Sequence, residues 1–293
     1  MQKRDFGNSG IQVTPLGFGA MHINDERTSE DDAGRLLNAV LDLGINLIDT
    51  ARGYGLSEER IGRHLAHRRQ DFVLSTKVGY GISGVPDWTY GCIVAGVDSA
   101  LQRMRCEWID IVHLHSCPLH TLEHGDVISA LEACQRAGKV RVLAYSGDNT
   151  ELDWSIQSGR FGSVQTSISM CDQQSIPQRL GRMQSAGMGV IAKRPLAGAV
   201  WKQSIRPDTY AEGIYWDRWN AMAIDPQGMD WTELALRFSA HLPGVASSIV
   251  GTGKLAHLKS NMEMLEKGPL EARLHQQLQE DFARNDQNWV GLI

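Results

Sequence analysis

Asp49, Tyr54, Lys77 and His115 each fall at or just past the C-terminal end of a predicted strand, and together they make a proton-transfer set. A phenol, with a reference pKa of about 10, is a poor acid at neutral pH, but a neighbouring ammonium favours the phenolate and lowers that value. Lys77 is placed to be that neighbour and Asp49 to anchor it. The run Asp49-Thr50-Ala51-Arg52-Gly53-Tyr54-Gly55 puts a carboxylate at a strand end and a phenol five residues later on a glycine-flexed loop. Its bland alternative is an Asp capping a turn and a Tyr on the surface. Lys77 follows largely apolar strand residues, where lysine rarely sits without a partner. It could pair with Asp49, or it could form a Schiff base with a carbonyl substrate, as class I aldolase barrels do. His115 shares a strand face with His113, and this H-x-H pattern, with Cys117, His120 and His124 close behind, opens a metal reading. The other strand ends offer Ser146, Gln165 and Lys193 in place of further carboxylate or histidine ligands, so no metal is expected. His113 reads more simply as a core histidine, and His120 and His124 as loop residues.

The elements that must position these groups follow a repeating rhythm. Residues 4–6 and 11–13 flank Gly7-Asn8-Ser9-Gly10 and predict an N-terminal β-hairpin. Short apolar runs at 16–19, 46–49, 72–77, 109–115, 140–146, 164–168, 190–192 and 247–250 predict eight strands, each followed by helix-like sequence. Ser29 starts one helix and Gly44 ends it; others are predicted near Ser57, over 94–104 and over 127–137. Continuous apolar strands alternating with helices argue for a parallel sheet buried on both faces. An open doubly wound sheet stays available, but polar residues clustered at the C-terminal ends of several strands favour a (β/α)8 TIM barrel. No linker divides the chain, so residues 1–293 read as one domain. The interval 195–228 is long and carries Trp201, Tyr210, Tyr215, Trp216 and Trp219, which predicts an extended rim loop. Residues 270–283 predict a helix, and the tail after it is expected to fold back over the barrel.

Composition narrows the function classes. Net charge is a mild -5, and no long basic run marks a nucleic-acid stripe or an anionic-membrane patch. The 42% apolar and 22% charged fractions are ordinary for a globular protein. Five cysteines, odd in number and never in C-x-x-C, fit a reduced compartment, with the cytoplasm as default. The start Met1-Gln2-Lys3-Arg4-Asp5 lacks an apolar leader, and no apolar run approaches the roughly 18 residues of a span, so neither export nor membrane insertion is expected.

Two glycine-rich segments ask for a phosphate reading. Gly79-Tyr80-Gly81-Ile82-Ser83-Gly84 matches G-x-G-x-x-G, but Val85-Pro86-Asp87-Trp88 follows where a dinucleotide fingerprint needs a helix to open, so a flexible rim loop is expected. Ile249-Val250-Gly251-Thr252-Gly253-Lys254 ends the last strand and opens a helix, where backbone N–H groups attract phosphate and Lys254 and His257 add positive charge. A glycine turn with two exposed bases is its bland counterpart.

Taken in order from about Gly17 to Asn261, these segments resemble the aldo-keto reductase superfamily. Its D-T-A-x-x-Y-G pattern corresponds to residues 49–55, its strand-end lysine to Lys77 and its strand-end histidine to His115. The resemblance implies reduction of an aldehyde or ketone by hydride from NADPH, with NADH as an alternative. Tyr54 would be the proton donor tuned by Lys77 and Asp49, and His115 would orient the carbonyl. It also implies that Ser146 and Gln165, with Asn149, hold the nicotinamide amide. Lys193, Pro195 and Leu196 would run beneath the cofactor, and Gly251, Thr252, Lys254, His257 and Asn261 would take the adenosine phosphate. The chain departs from the family in reading Ser146-Gly147-Asp148-Asn149 where Ser-Asn is often adjacent, and Lys193 where an aromatic often stacks. Arg52, Trp88 and Trp201 are expected in the substrate pocket. A second implied reading is a redox-sensing, NADPH-binding regulatory subunit with little turnover. The oligomeric state is left open.

Overall fold

Two short strands, β1 (Arg4–Asp5) and β2 (Gln12–Val13), pair antiparallel at the start of the computed structural model, which describes residues 1–293. The turn between them needs Gly7, at φ 55°, where a side chain would collide with the backbone at Gly187. Eight further strands close into a parallel barrel: β3 (Leu16–Gly19), β4 (Leu47–Asp49), β5 (Val73–Val78), β6 (Ile109–His115), β7 (Val140–Ser146), β8 (Ser163–Ser167), β9 (Gly189–Lys193) and β10 (Ser247–Val250). Parallel pairing runs in sequence order and closes through β10 onto β3. This is the (β/α)8 barrel with an N-terminal hairpin that the strand rhythm predicts.

Alternation of side chains sorts each strand into an outer face under the helices and an inner face in the barrel. The outer face and the helices share one core of 50 buried residues. Phe6, Ile11 and Val13 of the hairpin plug the N-terminal end, against Leu47, Val73, Ile111, Val142, Ala144 and Ile191. Asn46 ties that plug to the barrel, accepting from Thr14 N at 2.7 Å and donating to Gln12 O at 2.8 Å. Two residues further along each strand the inner face turns polar, giving Asp49, Ser75, His113, Ser146, Gln165 and Lys193. Register brings them level: Asp49 pairs with Ser75, Lys77 with His113, His115 with Ser146, and Ser146 with Gln165.

Three local expectations are corrected. The helix expected over 94–104 is Tyr90–Met104, started earlier by Thr89, whose hydroxyl accepts from Cys92 N at 3.2 Å. His120 and His124 lie in a short helix, Leu119–His124, not in loop. The interval 195–228 is not an extended loop: it holds a 3-10 turn (Ala197–Lys202) and a full helix (Tyr210–Met222). Four of its aromatics lie on that helix, which packs on more than one side, and Trp201 lies in the 3-10 turn. Tyr215 is buried in a second apolar cluster with Phe238, Leu274 and Phe282, and Trp201, Trp216 and Trp219 pack against it. The C-terminal helix, Ala272–Asn285, completes this layer, and the tail beyond it does fold back over the barrel. No helix is long and apolar enough to cross a membrane.

Candidate active site

The C-terminal mouth of the barrel opens into a cavity of about 460 Å³ whose lining includes Asp49, Tyr54, Lys77 and His115. Lys77 is 2% exposed and Asp49 1%. The Lys77 ammonium donates to Asp49 Oδ2 at 2.6 Å and to Thr50 O at 2.8 Å. Asp49 Oδ1 accepts from Ser75 Oγ at 2.7 Å and from Gln165 Nε2 at 3.0 Å, and Gln165 Oε1 accepts from Ser146 Oγ at 3.2 Å. The carboxylate therefore uses both oxygens, and the buried charge pair meets the condition under which such pairs persist: close geometry with the remaining lone pairs satisfied. Burial opposes the charge on Lys77, but Asp49 and then Tyr54 outweigh it and hold the ammonium above the ordinary lysine range. Half-buried Tyr54 stands over this pair, with the ammonium 5.2 Å from its ring centroid. Its ring meets that of His115 edge-on at 6.3 Å.

The two histidines of β6 sit in different surroundings. His113 is fully buried, with Nε2 3.1 Å from Ser75 Oγ, and burial pushes it down to about 4. His115 lines the cavity; burial and then the Lys77 charge push it down to about 3. Its Nδ1 lies 2.7 Å from the Tyr80 hydroxyl. The H-x-H pair does not gather ligands: no group of three His, Cys, Asp or Glu side chains is arranged to hold a metal.

These shifts carry a stability consequence. Both histidines have folded pKa values below the unfolded value of about 6.5, so the unfolded chain binds protons that the folded one refuses as pH drops below 6.5. Their contribution is complete above that pH and is lost downward, levelling off only as the folded rings protonate near 4 and 3. Burial also lowers His241 and His275, which act in the same direction. Asp172 and Glu58 oppose them, because burial raises both carboxyls, Asp172 to about 7, and the folded state then takes up those protons first. With four such histidines against two such carboxyls, the denaturant midpoint is expected to fall between pH 7 and pH 5. A midpoint that rose over that interval would contradict the buried, neutral histidines.

The remaining expected residues divide. Ser146, Gln165, Lys193, Pro195, Leu196 and Gly251 line the same cavity. A smaller adjoining groove of about 240 Å³ shares Leu196 and Gly251 and adds Thr252, His257 and Asn261. Thr252 Oγ1 lies 3.1 Å from His257 Nδ1 and accepts from Lys254 N at 3.1 Å, while the Lys254 side chain is exposed and outside both linings. Asn149 is committed elsewhere: its amide exchanges two hydrogen bonds with the Gly291 backbone, at 2.9 and 2.8 Å. Lys193 is neutralised by buried Asp148 at 2.9 Å, a carboxylate also held by Thr166 Oγ1 at 2.6 Å and Ser167 N at 2.9 Å. Arg52, Trp88 and Trp201 are not on the cavity wall. Arg52 turns away to donate to Gly81 O and Ser99 Oγ, Trp88 packs behind Tyr80 at 6.0 Å, and Trp201 stacks on Trp231 at 6.2 Å.

The structure adds residues that spacing did not reveal. Tyr80 and Asp148 contact His115 and Lys193 from outside the cavity lining, at 2.7 and 2.9 Å. Met21, His22, Arg194, Glu212 and Ile293 line the cavity from the rim. Arg194, at φ 55°, donates to Leu292 O at 2.7 Å, so the returning tail forms one edge of the mouth.

Comparison with known proteins fits this arrangement. Residues 15–281 match the model of the aldo/keto reductase family. The chain is 26% identical over 279 residues to L-galactose dehydrogenase of Arabidopsis thaliana, covering 89% of this chain and 87% of that protein. It is 27% identical over 306 residues to a probable voltage-gated potassium channel subunit beta of Oryza sativa, covering 92% and 93%. An aldo-keto reductase of Bacillus halodurans, solved in its holo form, superposes with a TM-score of 0.84 at 28% identity over 96% of both chains. With a family match from β3 through most of the C-terminal helix and a shared barrel, the chain belongs to the aldo/keto reductase family, whose members reduce carbonyl groups with NAD(P)H.

Proposed function

We propose that this protein reduces an aldehyde or ketone to an alcohol with NADPH, through Tyr54 as proton donor. The observation that carries the reading is the buried Lys77–Asp49 pair, 2.6 Å apart, beneath Tyr54 at the floor of the cavity. Negative charge that develops on the phenol oxygen as its proton leaves is met by a fixed ammonium in a site of low dielectric, where it has the most effect. Asp49 keeps that ammonium charged and still. His115, neutral across the working range, lines the same cavity and orients the carbonyl oxygen. The Schiff-base alternative loses ground, because it needs a free neutral amine and Lys77 is held charged by Asp49 and Thr50.

When bound, the dinucleotide supplies the hydride. The residues present fit it. Buried Ser146 and Gln165 offer polar groups to an amide, and Pro195 and Leu196 form an apolar shelf along the cavity. Gly251 is bare backbone where the cavity meets the groove; a Cβ there would stand 2.6 Å from the His22 ring. Beyond it the helix Leu255–Glu266 begins without a side-chain cap and without an acidic residue in its first turn, which suits a phosphate. Lys254 and His257 beside that end support NADPH over NADH.

The Arabidopsis relative is named for an aldose and the Oryza relative for a channel subunit, so turnover is the discriminating measurement. Cofactor oxidation is to be followed with aldoses, aromatic aldehydes, keto sugars and quinones, with NADPH and NADH in parallel. Turnover is expected with at least one carbonyl class and a lower KM for NADPH. Tight NADPH binding without turnover on any substrate would instead favour a regulatory subunit.

A further inference from the structure

We propose that Tyr80 is a positioning residue that locks His115 in its Nε2–H tautomer, so that the cavity is offered a neutral N–H donor; this rests on the reading of His115 above. The two rings stack with centroids 5.5 Å apart and an interplanar angle of 22°, and the hydroxyl reaches Nδ1 at 2.7 Å. Nε2 has no partner within the chain and is not enclosed, unlike His113 Nδ1, which is buried without one. A neutral imidazole carries one N–H, and the bond made by one nitrogen decides which keeps it. A phenol is a far stronger acid than a neutral imidazole N–H, and an imidazole nitrogen is a better acceptor than a phenol oxygen. The short bond is therefore O–H to Nδ1, and the ring proton is left on Nε2. The opposite tautomer would point a lone pair at the carbonyl oxygen and repel it.

The loop behind Tyr80 is built to hold it. Trp88 closes on it edge-to-face at 6.0 Å, and the Trp88 ring fills the space where a side chain at Gly79, φ 143°, would stand. Trp88 N donates to Gly79 O at 2.8 Å, and Gly81 N donates to Asp87 Oδ1 at 2.9 Å. Arg52 clamps the other side, donating to Gly81 O from Nε at 3.0 Å and from a terminal nitrogen at 2.6 Å. Arg52 and Trp88, both off the cavity wall, thus serve the site by fixing a tyrosine that is itself one layer behind it.

Tyr80→Phe keeps the stacked ring and removes only the O–H. In protein carrying 15N-labelled histidine, His115 is expected to show a protonated Nε2 and an unprotonated Nδ1, and the variant a mixture of both tautomers. Its kcat for carbonyl reduction is expected to fall about threefold to tenfold, the bias one neutral hydrogen bond exerts, with NADPH affinity unchanged. In a His115→Gln background, where the amide donor needs no tautomer, the same substitution should cost nothing further. A protonated Nδ1 in the native protein, or an equal penalty in both backgrounds, would overturn the proposal. A native kcat for His115→Gln would instead remove the role of His115 itself, whatever the tautomer.

Discussion

Tyr54→Phe is expected to lower kcat for carbonyl reduction by about 10²–10⁴-fold, the usual worth of a positioned proton donor, while leaving NADPH binding within error of the native value. Phenylalanine occupies the same half-buried place and keeps the edge-on packing with His115 and the contact with the Lys77 ammonium, so the fold and the cavity shape survive. Only the O–H is lost. The residues that fit the dinucleotide, from Ser146 and Gln165 round to Gly251, lie elsewhere on the wall and do not bond Tyr54. Cofactor titration by fluorescence therefore separates binding from chemistry, and single-turnover measurement shows whether the missing step is chemical. A variant that reduces carbonyls at the native rate would remove Tyr54 from the mechanism and leave the proton donor to be found among the other groups on the cavity wall.

Much of the site is written into strand alternation. Asp49, Lys77, His115, Ser146 and Lys193 end apolar runs while Gln165 lies within one, level with Ser146, and a parallel barrel leaves a strand-end polar side chain only the inner rim or solvent. Sequence spacing therefore predicts which groups converge on the mouth. It does not predict second partners. Asp148 lies two residues past Ser146, and only the three-dimensional path of the loop after β7 brings it to Lys193. Gly79, Gly81 and Gly84 make Tyr80 read as part of a flexible glycine loop; in the structure those glycines serve close approach and tight turning in a pinned loop. Residues 210–222 are illegible as a helix for a different reason. A helix buried on several sides shows no single apolar stripe, so its aromatics read as scattered loop residues, and sequence alone places Trp201 in the pocket although it belongs to the packing of that layer.

The Lys77–Asp49 pair allows the strongest separation of stability from activity. Lys77→Met removes the ammonium from a site where Asp49 stays buried, still accepting from Ser75 and Gln165 but without its counter-charge. Breaking a buried pair in this way costs about 3–5 kcal/mol of stability, so a clear drop in the denaturant midpoint is expected. Activity is expected to fall at least as far as in Tyr54→Phe, because the charge that meets the developing phenolate is gone. Combining Lys77→Met with Asp49→Asn removes both charges, and the amide can still accept from Ser75. Most of the lost stability is then expected to return while kcat stays at the level of the single variant. Recovery of activity together with stability would mean that the pair serves only to hold the barrel. Trapping of a substrate adduct on Lys77 by borohydride in the native protein would overturn the assignment from the other side, since an amine that attacks a carbonyl cannot also be the fixed cation beneath Tyr54.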